Sequence, residues 1–197
     1  MESALQSADD LLLKLRNRNA QALTEIVNEN SRPLYRAARG MGFSQEEAED
    51  LAQDVFATFL ETLDRFEGRS QVRTWLFGIL HNKVRERRRD HYREQQNDPI
   101  DEVFESRFDS DGKWASPPRD PDRAIASEEI AKALTGCMGD LHSSQREVFV
   151  LREMEDLESP EICKILGITV TNLSVLIYRA RNRLRECMEK RGWRKTP

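Results

Sequence analysis

The sequence predicts an all-α protein of two small helical domains joined by an acidic, proline-containing linker. Three observations point to it. Apolar residues recur at helical spacing in both halves, with no run of strand-like alternation. Nine Gly and seven Pro in 197 residues are too few for the many tight turns of an ordinary all-β domain. From about Asp90 to Ala126 the composition shifts to Asp, Glu, Pro and Ser, with Pro99, Pro117, Pro118 and Pro121, and such a stretch cannot bury enough apolar area to offset its ordering entropy.

The first helix is expected over Ala8 to Arg16, with Leu11, Leu12 and Leu15 on one side. A second runs from about Ala20 to Asn28 through Leu23, Ile26 and Val27, and a third starts around Pro33, a good first-turn residue, and ends at Gly40 and Gly42. Ser44 and Glu47 form a capping box that opens a helix from Gln45 to about Asp64, with Leu51, Val55, Phe56, Phe59, Leu60 and Leu63 on its apolar side. Phe66 to Gln71, containing Gly68, reads as a loop. The next helix, about Val72 to Arg89, is apolar at first and basic at its end; Trp75, at helical spacing with Leu76 and Leu80, is expected in the core rather than stacked on a base. The linker carries three unusual aromatics, Phe104, Phe108 and Trp114. Four helices follow: Ser127 to Leu141, Ser143 to Glu155, Pro160 to Leu166 with Ser159 as its N-cap, and about Val170 to Lys190.

Several classes are set aside. No run of about 18 apolar residues exists, and the N-terminus has no basic segment leading into an apolar one, so a soluble cytoplasmic protein without membrane insertion is expected. Cys137, Cys163 and Cys187 are widely spaced, without CxxC pairs, and each is expected to serve as a small buried hydrophobe. His81, His91 and His142 form no ligand-like cluster, so no metal or cofactor is expected. No nucleophile, base and orienting group share a motif, and no catalytic residue is assigned.

The net charge of −4 hides an alternation. Ser44 to Glu67 holds eight acidic residues and one basic, whereas Arg73 to Arg93 holds seven basic and two acidic. Glu94 to Glu129 is acidic again, eleven against four, and Asn172 to Pro197 is basic, eight against two. One basic block is often only a solvated helix face. Two, each following an apolar helix pattern, look like two footprints on a phosphate backbone, and the acidic blocks imply a different partner or an intramolecular mask.

The segment SPEICKILGITVTNLSVLIYRARNRLREC has helix-turn-helix grammar. Ile162 and Ile165 point inward, Gly167 makes the turn, and in the second helix Val170, Leu173, Ile177, Ala180 and Leu184 share a core-facing side. Thr171, Asn172, Ser174, Val175, Tyr178, Arg179, Arg181 and Arg185 are left for the other faces, short polar groups near the start for base edges and arginines further along for phosphates.

With its upstream neighbour, LHSSQREVFVLREMEDLE, this segment resembles region four of the extracytoplasmic-function (ECF) sigma factors of bacterial RNA polymerase. The N-terminal segment AEDLAQDVFATFLETLDRFEGRSQVRTWLFGILHNKVRERRR resembles region two of the same family. The resemblance implies a region-two domain over 1–92, a linker over 93–126, a region-four domain over 127–191 and a tail over 192–197. It implies that Glu49, Asp50, Leu51, Gln53, Asp54 and Phe56 dock on core polymerase. It places Glu67, Gly68, Arg69, Ser70, Gln71, Arg73, Asn82, Lys83 and Arg87 on the non-template single strand of the minus-ten element. Thr171, Asn172, Ser174, Val175, Tyr178, Arg179 and Arg181 fall on the minus-thirty-five duplex, where Ser174 and Leu176 replace the Lys or Arg common in the family. An anti-sigma protein is a further implied partner. The residues taken alone also fit a stand-alone helix-turn-helix regulator, or a helical protein-interaction module that binds no DNA.

Overall fold

A computed structural model describes residues 10–91 and 128–193, so the acidic linker with Phe104, Phe108 and Trp114 lies outside the described residues. The N-terminal unit comprises α1 (residues 10–16), α2 (Ala20–Gly40), α3 (Gln45–Thr62) and α4 (Val72–His91), with a 3₁₀ turn at Leu63–Arg65 after α3. The C-terminal unit comprises α5 (Glu128–Gly139), α6 (Ser143–Phe149), a π turn at Val150–Met154, α7 (Ser159–Leu166) and α8 (Val170–Lys190). Among the described residues no single helix is long and apolar enough to cross a membrane.

The two helices expected around Pro33 are one. Pro33 lies inside α2, where it lacks an N–H to donate. The helix runs through it because one buried face continues on both sides, from Ile26 and Asn30 to Leu34, Ala37 and Ala38. A mid-helix proline costs about 3 kcal/mol, while each fully buried aliphatic side chain contributes about 1.5–3 kcal/mol, so the shared face wins. Asn30 and Ser31 donate to the carbonyls of Ile26 and Val27, at 2.8 and 2.5 Å. The capping box of α3 forms as expected: Ser44 Oγ accepts from the Glu47 N–H at 3.3 Å, and the Ser44 N–H donates to Glu47 Oε2 at 2.8 Å. Leu51, Val55 and Phe59 of α3 then pack with Leu76, Phe77, Leu80 and Val84 of α4 in the core.

In the C-terminal unit the helix expected to reach Glu155 changes its winding at Val150. The Glu155 N–H bonds to the Val150 carbonyl, five residues back, at 3.0 Å. Helix α7 starts one residue earlier than expected. Glu158, not Ser159, occupies its N-cap, with the Glu158 N–H held by Glu161 Oε2 at 3.0 Å and Pro160 in the first turn. Gly167 ends α7 at φ +66°, the left-handed conformation glycine adopts without a Cβ penalty. Thr169 caps α8, its hydroxyl accepting from the Asn172 N–H at 3.2 Å.

The inward face of α8 is rotated from the expected one. Leu173, Ala180 and Leu184 are buried, but Tyr178 joins them while Val170 is 59% exposed. Helix α8 packs against α5, α6 and α7 together, which widens its buried sector beyond a narrow stripe. The cysteines also differ from expectation. Cys137 and Cys187 form a disulfide that joins α5 to the end of α8, their Cα atoms 5.8 Å apart, and Cys163 alone is a free thiol. The sequence hid this pair because its members lie 50 residues apart, in different helices.

The two units pack against each other, α4 on α7 and α2 on the π turn, and their buried apolar residues form one cluster. Gly40 permits the approach: a Cβ there would lie 2.8 Å from Val150 Cγ2 and 3.1 Å from Met154 Sδ. The Glu155 side chain is fully buried and takes Arg36 in a two-pronged pair, at 2.8 and 3.0 Å, with Arg73 at 3.3 Å. The hydrogen bond to Glu155 raises the Arg36 pKa above its ordinary value, so the guanidinium stays charged. Beside this pair His81 meets Glu147 at 2.6 Å and Thr74 donates to Glu161 at 2.5 Å. Main-chain carbonyls complete the junction. Across it Arg146 donates to that of Met41 at 3.3 Å and Arg73 to that of Glu155 at 2.7 Å, while within its own unit Arg146 also donates to those of Gly139 and Leu141.

Candidate nucleic-acid interface

Helix α3 separates its two faces cleanly. Glu49, Asp50 and Gln53 are exposed and together present an acidic patch with an amide. Leu51 is fully buried, so it holds the helix in place instead of facing a partner, and Phe56 is half-buried against the core. Asp54 binds Arg87 at 2.9 Å, and Arg87 also reaches the Glu47 carbonyl. Two residues assigned to different partners, polymerase and DNA, thus bind one another and tie α3 to α4.

The loop after α3 is open to solvent. Glu67, Gly68, Arg69 and Gln71 are exposed and Ser70 is half-buried, with Gly68 at φ +72° and Arg69 paired to Glu67. Phe66 anchors the loop by stacking on Trp75, ring centroids 4.5 Å apart, while Phe59 meets Trp75 edge-on at 5.8 Å. Trp75 is therefore only half-buried: its ring packs on core aromatics, yet it lines a groove between α3 and α4. Thr58, Thr62, Ile79, Asn82 and Lys83 continue the lining, and Arg65, Arg85 and Arg89 make it basic, against one acid, Glu86.

Of the residues assigned to the minus-ten strand, Asn82 and Lys83 lie in this groove, the loop residues lie outside its lining, Arg73 faces Glu155, and Arg87 faces Asp54. Arg65, Arg85 and Arg89 lie outside the set of residues expected from the sequence. The available signal was the spacing of Asn82, Arg85 and Arg89 along one face of α4.

On α8, Thr171, Asn172 and Ser174 are exposed, and Ser174 returns its hydroxyl to the Val170 carbonyl at 2.9 Å. Val175 and Arg179 are half-buried, and Tyr178 belongs to the core. Arg181 is exposed and paired with Glu153 at 2.6 Å. Exposed polar groups therefore occupy the N-terminal turns of α8, with arginines further along. Among the described residues no three His, Cys, Asp or Glu side chains are grouped to hold a metal ion.

Comparison with known proteins places both units. Residues 26–94 match Sigma-70 region 2, and residues 128–184 match Sigma-70, region 4. A probable RNA polymerase sigma factor of Haemophilus influenzae is 31% identical over 155 residues, covering 73% of this chain and 78% of the relative. The chain belongs to the sigma-70 family, as an ECF sigma factor. RNA polymerase sigma factor YlaC of Bacillus subtilis is similar to the same extent, 32% identical over 145 residues, 74% of this chain and 79% of its own. Among solved structures, CnrH in complex with the cytosolic domain of CnrY matches with a TM-score of 0.66 at 26% identity, over 91% of this chain and 96% of that one. This ECF sigma factor accordingly binds core RNA polymerase and directs it to promoters. Sigma factors in general are not enzymes.

Proposed function

We propose that this sigma factor divides its work among three faces. The acidic outer face of α3, through Glu49, Asp50 and Gln53, docks on core polymerase. The groove beside Trp75, with the loop from Glu67 to Gln71, holds unstacked non-template strand of the minus-ten element. The N-terminal turns of α8 contact the minus-thirty-five duplex. The observation that carries this assignment is the basic groove floored by an aromatic ring, a combination suited to single strand because cations hold phosphates while rings stack on any base. The domain division at 1–92, 93–126, 127–191 and 192–197 belongs to the same proposal, with bond formation left to the polymerase and action in the cytoplasm.

At the minus-thirty-five element the lack of a long cation at Ser174 and Leu176 leaves bidentate guanine recognition unsupported there. Asn172 is the exposed amide best suited to a base edge. An anti-sigma protein is a proposed partner as well, and CnrH, similar over most of the chain, was solved in complex with another protein, the cytosolic domain of CnrY.

The deciding experiment is in vitro transcription with core polymerase on genomic promoter fragments from the same organism. Discrete transcripts that depend on this chain and share upstream elements support the assignment. DNA bound by the chain alone, without new transcripts, would favour a stand-alone regulator. In the double variant Glu49→Arg and Asp50→Arg, core binding should weaken roughly tenfold or more through like-charge placement, with folding stability unchanged within about 0.5 kcal/mol. Binding titrations and denaturant melts check the two halves of that expectation. Asn172→Ala should relax promoter preference at one base position, worth about 1–3 kcal/mol, and leave core binding intact. A promoter-variant competition assay reads this directly.

A further inference from the structure

We propose that region four of this sigma factor reads its minus-thirty-five element as A·T pairs, with Val170 meeting a thymine methyl group and Asn172 taking an adenine. This rests on the assignment of α8 to the duplex just made, and it names the bases that the first turn of that helix selects. The chemistry at this end of α8 is narrow. From Ile165 to Tyr178 no residue carries a charge. The flanking cations are engaged or set back: Lys164 reaches the Arg69 carbonyl at 3.4 Å, Arg179 is half-buried, and Arg181 is paired with Glu153. Guanine shows the major groove two acceptors, O6 and N7, and its usual partner is an arginine or lysine that donates to both. No such group stands on the first two turns of α8. Ser174 gives its proton to the Val170 carbonyl at 2.9 Å, so that hydroxyl has none left for a guanine acceptor.

Besides Ser174, the exposed residues of those two turns are Val170, Thr171 and Asn172. Val170 is the unexpected member. It lies on the apolar stripe of the sequence, yet it is 59% exposed while Leu173, Ala180 and Leu184 of the same stripe are buried. A valine held in water adds little to the fold, and a surface that covers it gains the hydrophobic contribution of its methyl groups. In the major groove the hydrocarbon group that marks a base edge is the C5 methyl of thymine. A valine in a helix keeps one strongly preferred χ1 rotamer, so the Val170 methyls are in position before DNA arrives. Thr171 adds a methyl beside them. The Asn172 carboxamide makes no hydrogen bond among the described residues; only its backbone N–H is taken, by the Thr169 hydroxyl. Donor and acceptor on one planar group match the N7 and N6 amino group of adenine. The three residues are consecutive, so at about 100° each they fan round the tip of α8 and fall on neighbouring base pairs.

The test uses holoenzyme assembled from core polymerase and the full chain, on a promoter from the transcription experiment whose minus-ten half is held fixed while the upstream half is randomised and selected for binding. The selected element is then rebuilt with base analogues. Uracil for thymine removes the methyl group alone, 7-deazaadenine for adenine removes N7 alone, and 5-methylcytosine puts a methyl group back on a G·C pair. Wild type, Val170→Ala and Asn172→Ala are measured on each duplex, with core affinity titrated in parallel. Both side chains are exposed and alanine is the better helix former at either position, so both variants fold.

The expected element has adjacent A·T pairs. Uracil at one thymine should weaken binding about fourfold, the contribution of one buried methyl group, and that penalty should vanish in Val170→Ala. Cytosine at the same position should bind weakly, and 5-methylcytosine should recover a similar factor. For the wild type, 7-deazaadenine should weaken binding about fivefold, and Asn172→Ala should be indifferent to it. A Val170→Ala chain that loses core affinity and keeps the uracil penalty places this side chain against protein and overturns the proposal. So does guanine selected at these positions, or an A·T preference that neither analogue disturbs, which is readout of duplex shape. In the last two cases α8 still reads the upstream element. If every upstream sequence binds equally well, the assignment of α8 to the duplex fails with the proposal.

Discussion

Truncating Phe59 to alanine is expected to lower the stability of region two by about 3–5 kcal/mol. The ring is 1% exposed, lies on the core side of α3 and supports the edge of Trp75. Removing it leaves a cavity under the docking helix and the groove at once, and a domain with a total stability of about 5–15 kcal/mol loses a large share of it. Core binding and single-strand binding should therefore fall together as temperature rises. Urea titration of the full chain, followed by tryptophan fluorescence, measures the loss. Phe59→Leu keeps most of the volume and should lose under about 1.5 kcal/mol. Equal losses for the two variants would mean that the ring is not packed as described.

The second large effect concerns the disulfide of region four. Opening a link between residues 50 apart releases about 4 kcal/mol of loop-closure entropy to the unfolded chain, within the usual range for native disulfides. Reductant, or Cys137→Ser with Cys187→Ser, is expected to lower the unfolding free energy of region four by about that amount, read as an earlier denaturation midpoint, and to leave that of region two where it is. Promoter affinity should follow, since the bond ties the end of α8 to α5. Cys163→Ser, at the free thiol, is the control and should leave the reductant effect intact. A midpoint indifferent to reductant in the wild-type chain would show that the link contributes nothing to the native state.

The parts of the fold legible in the sequence are those whose signal is local. The capping box of Ser44 and Glu47, the turn at Gly167 and the full extent of α8 depend on residues three or four apart, and the structure has them as expected. The failures have longer reach. Pro33 interrupts a helix in isolation, and only the buried face supplied by packing carries α2 through it. The inner side of α8 is wider than the one stripe its periodicity marks, because three helices cover it. The candidate site divides in the same way. Asn172 and Asn82 are exposed, as their spacing predicts, whereas Arg73, Arg87 and Arg181, expected at DNA, each meet an acid that the sequence could not bring near. Glu155, 119 residues from Arg36, left no local trace.

The main-chain bonds of Arg146 bear on how interchangeable the two regions are among relatives. Its guanidinium crosses to one acceptor in region two, the carbonyl of Met41, and takes those of Gly139 and Leu141 within region four, groups that every residue carries whatever its side chain. Substitution at position 41 leaves the acceptor that crosses between regions in place as long as the backbone path is kept. A hybrid that takes region two from one ECF sigma factor and region four from this one should therefore retain the Arg146 contact to the main chain at position 41. Its compatibility will turn on the few side-chain pairs, Glu155 with Arg36 and Arg73 foremost, that have to be inherited together.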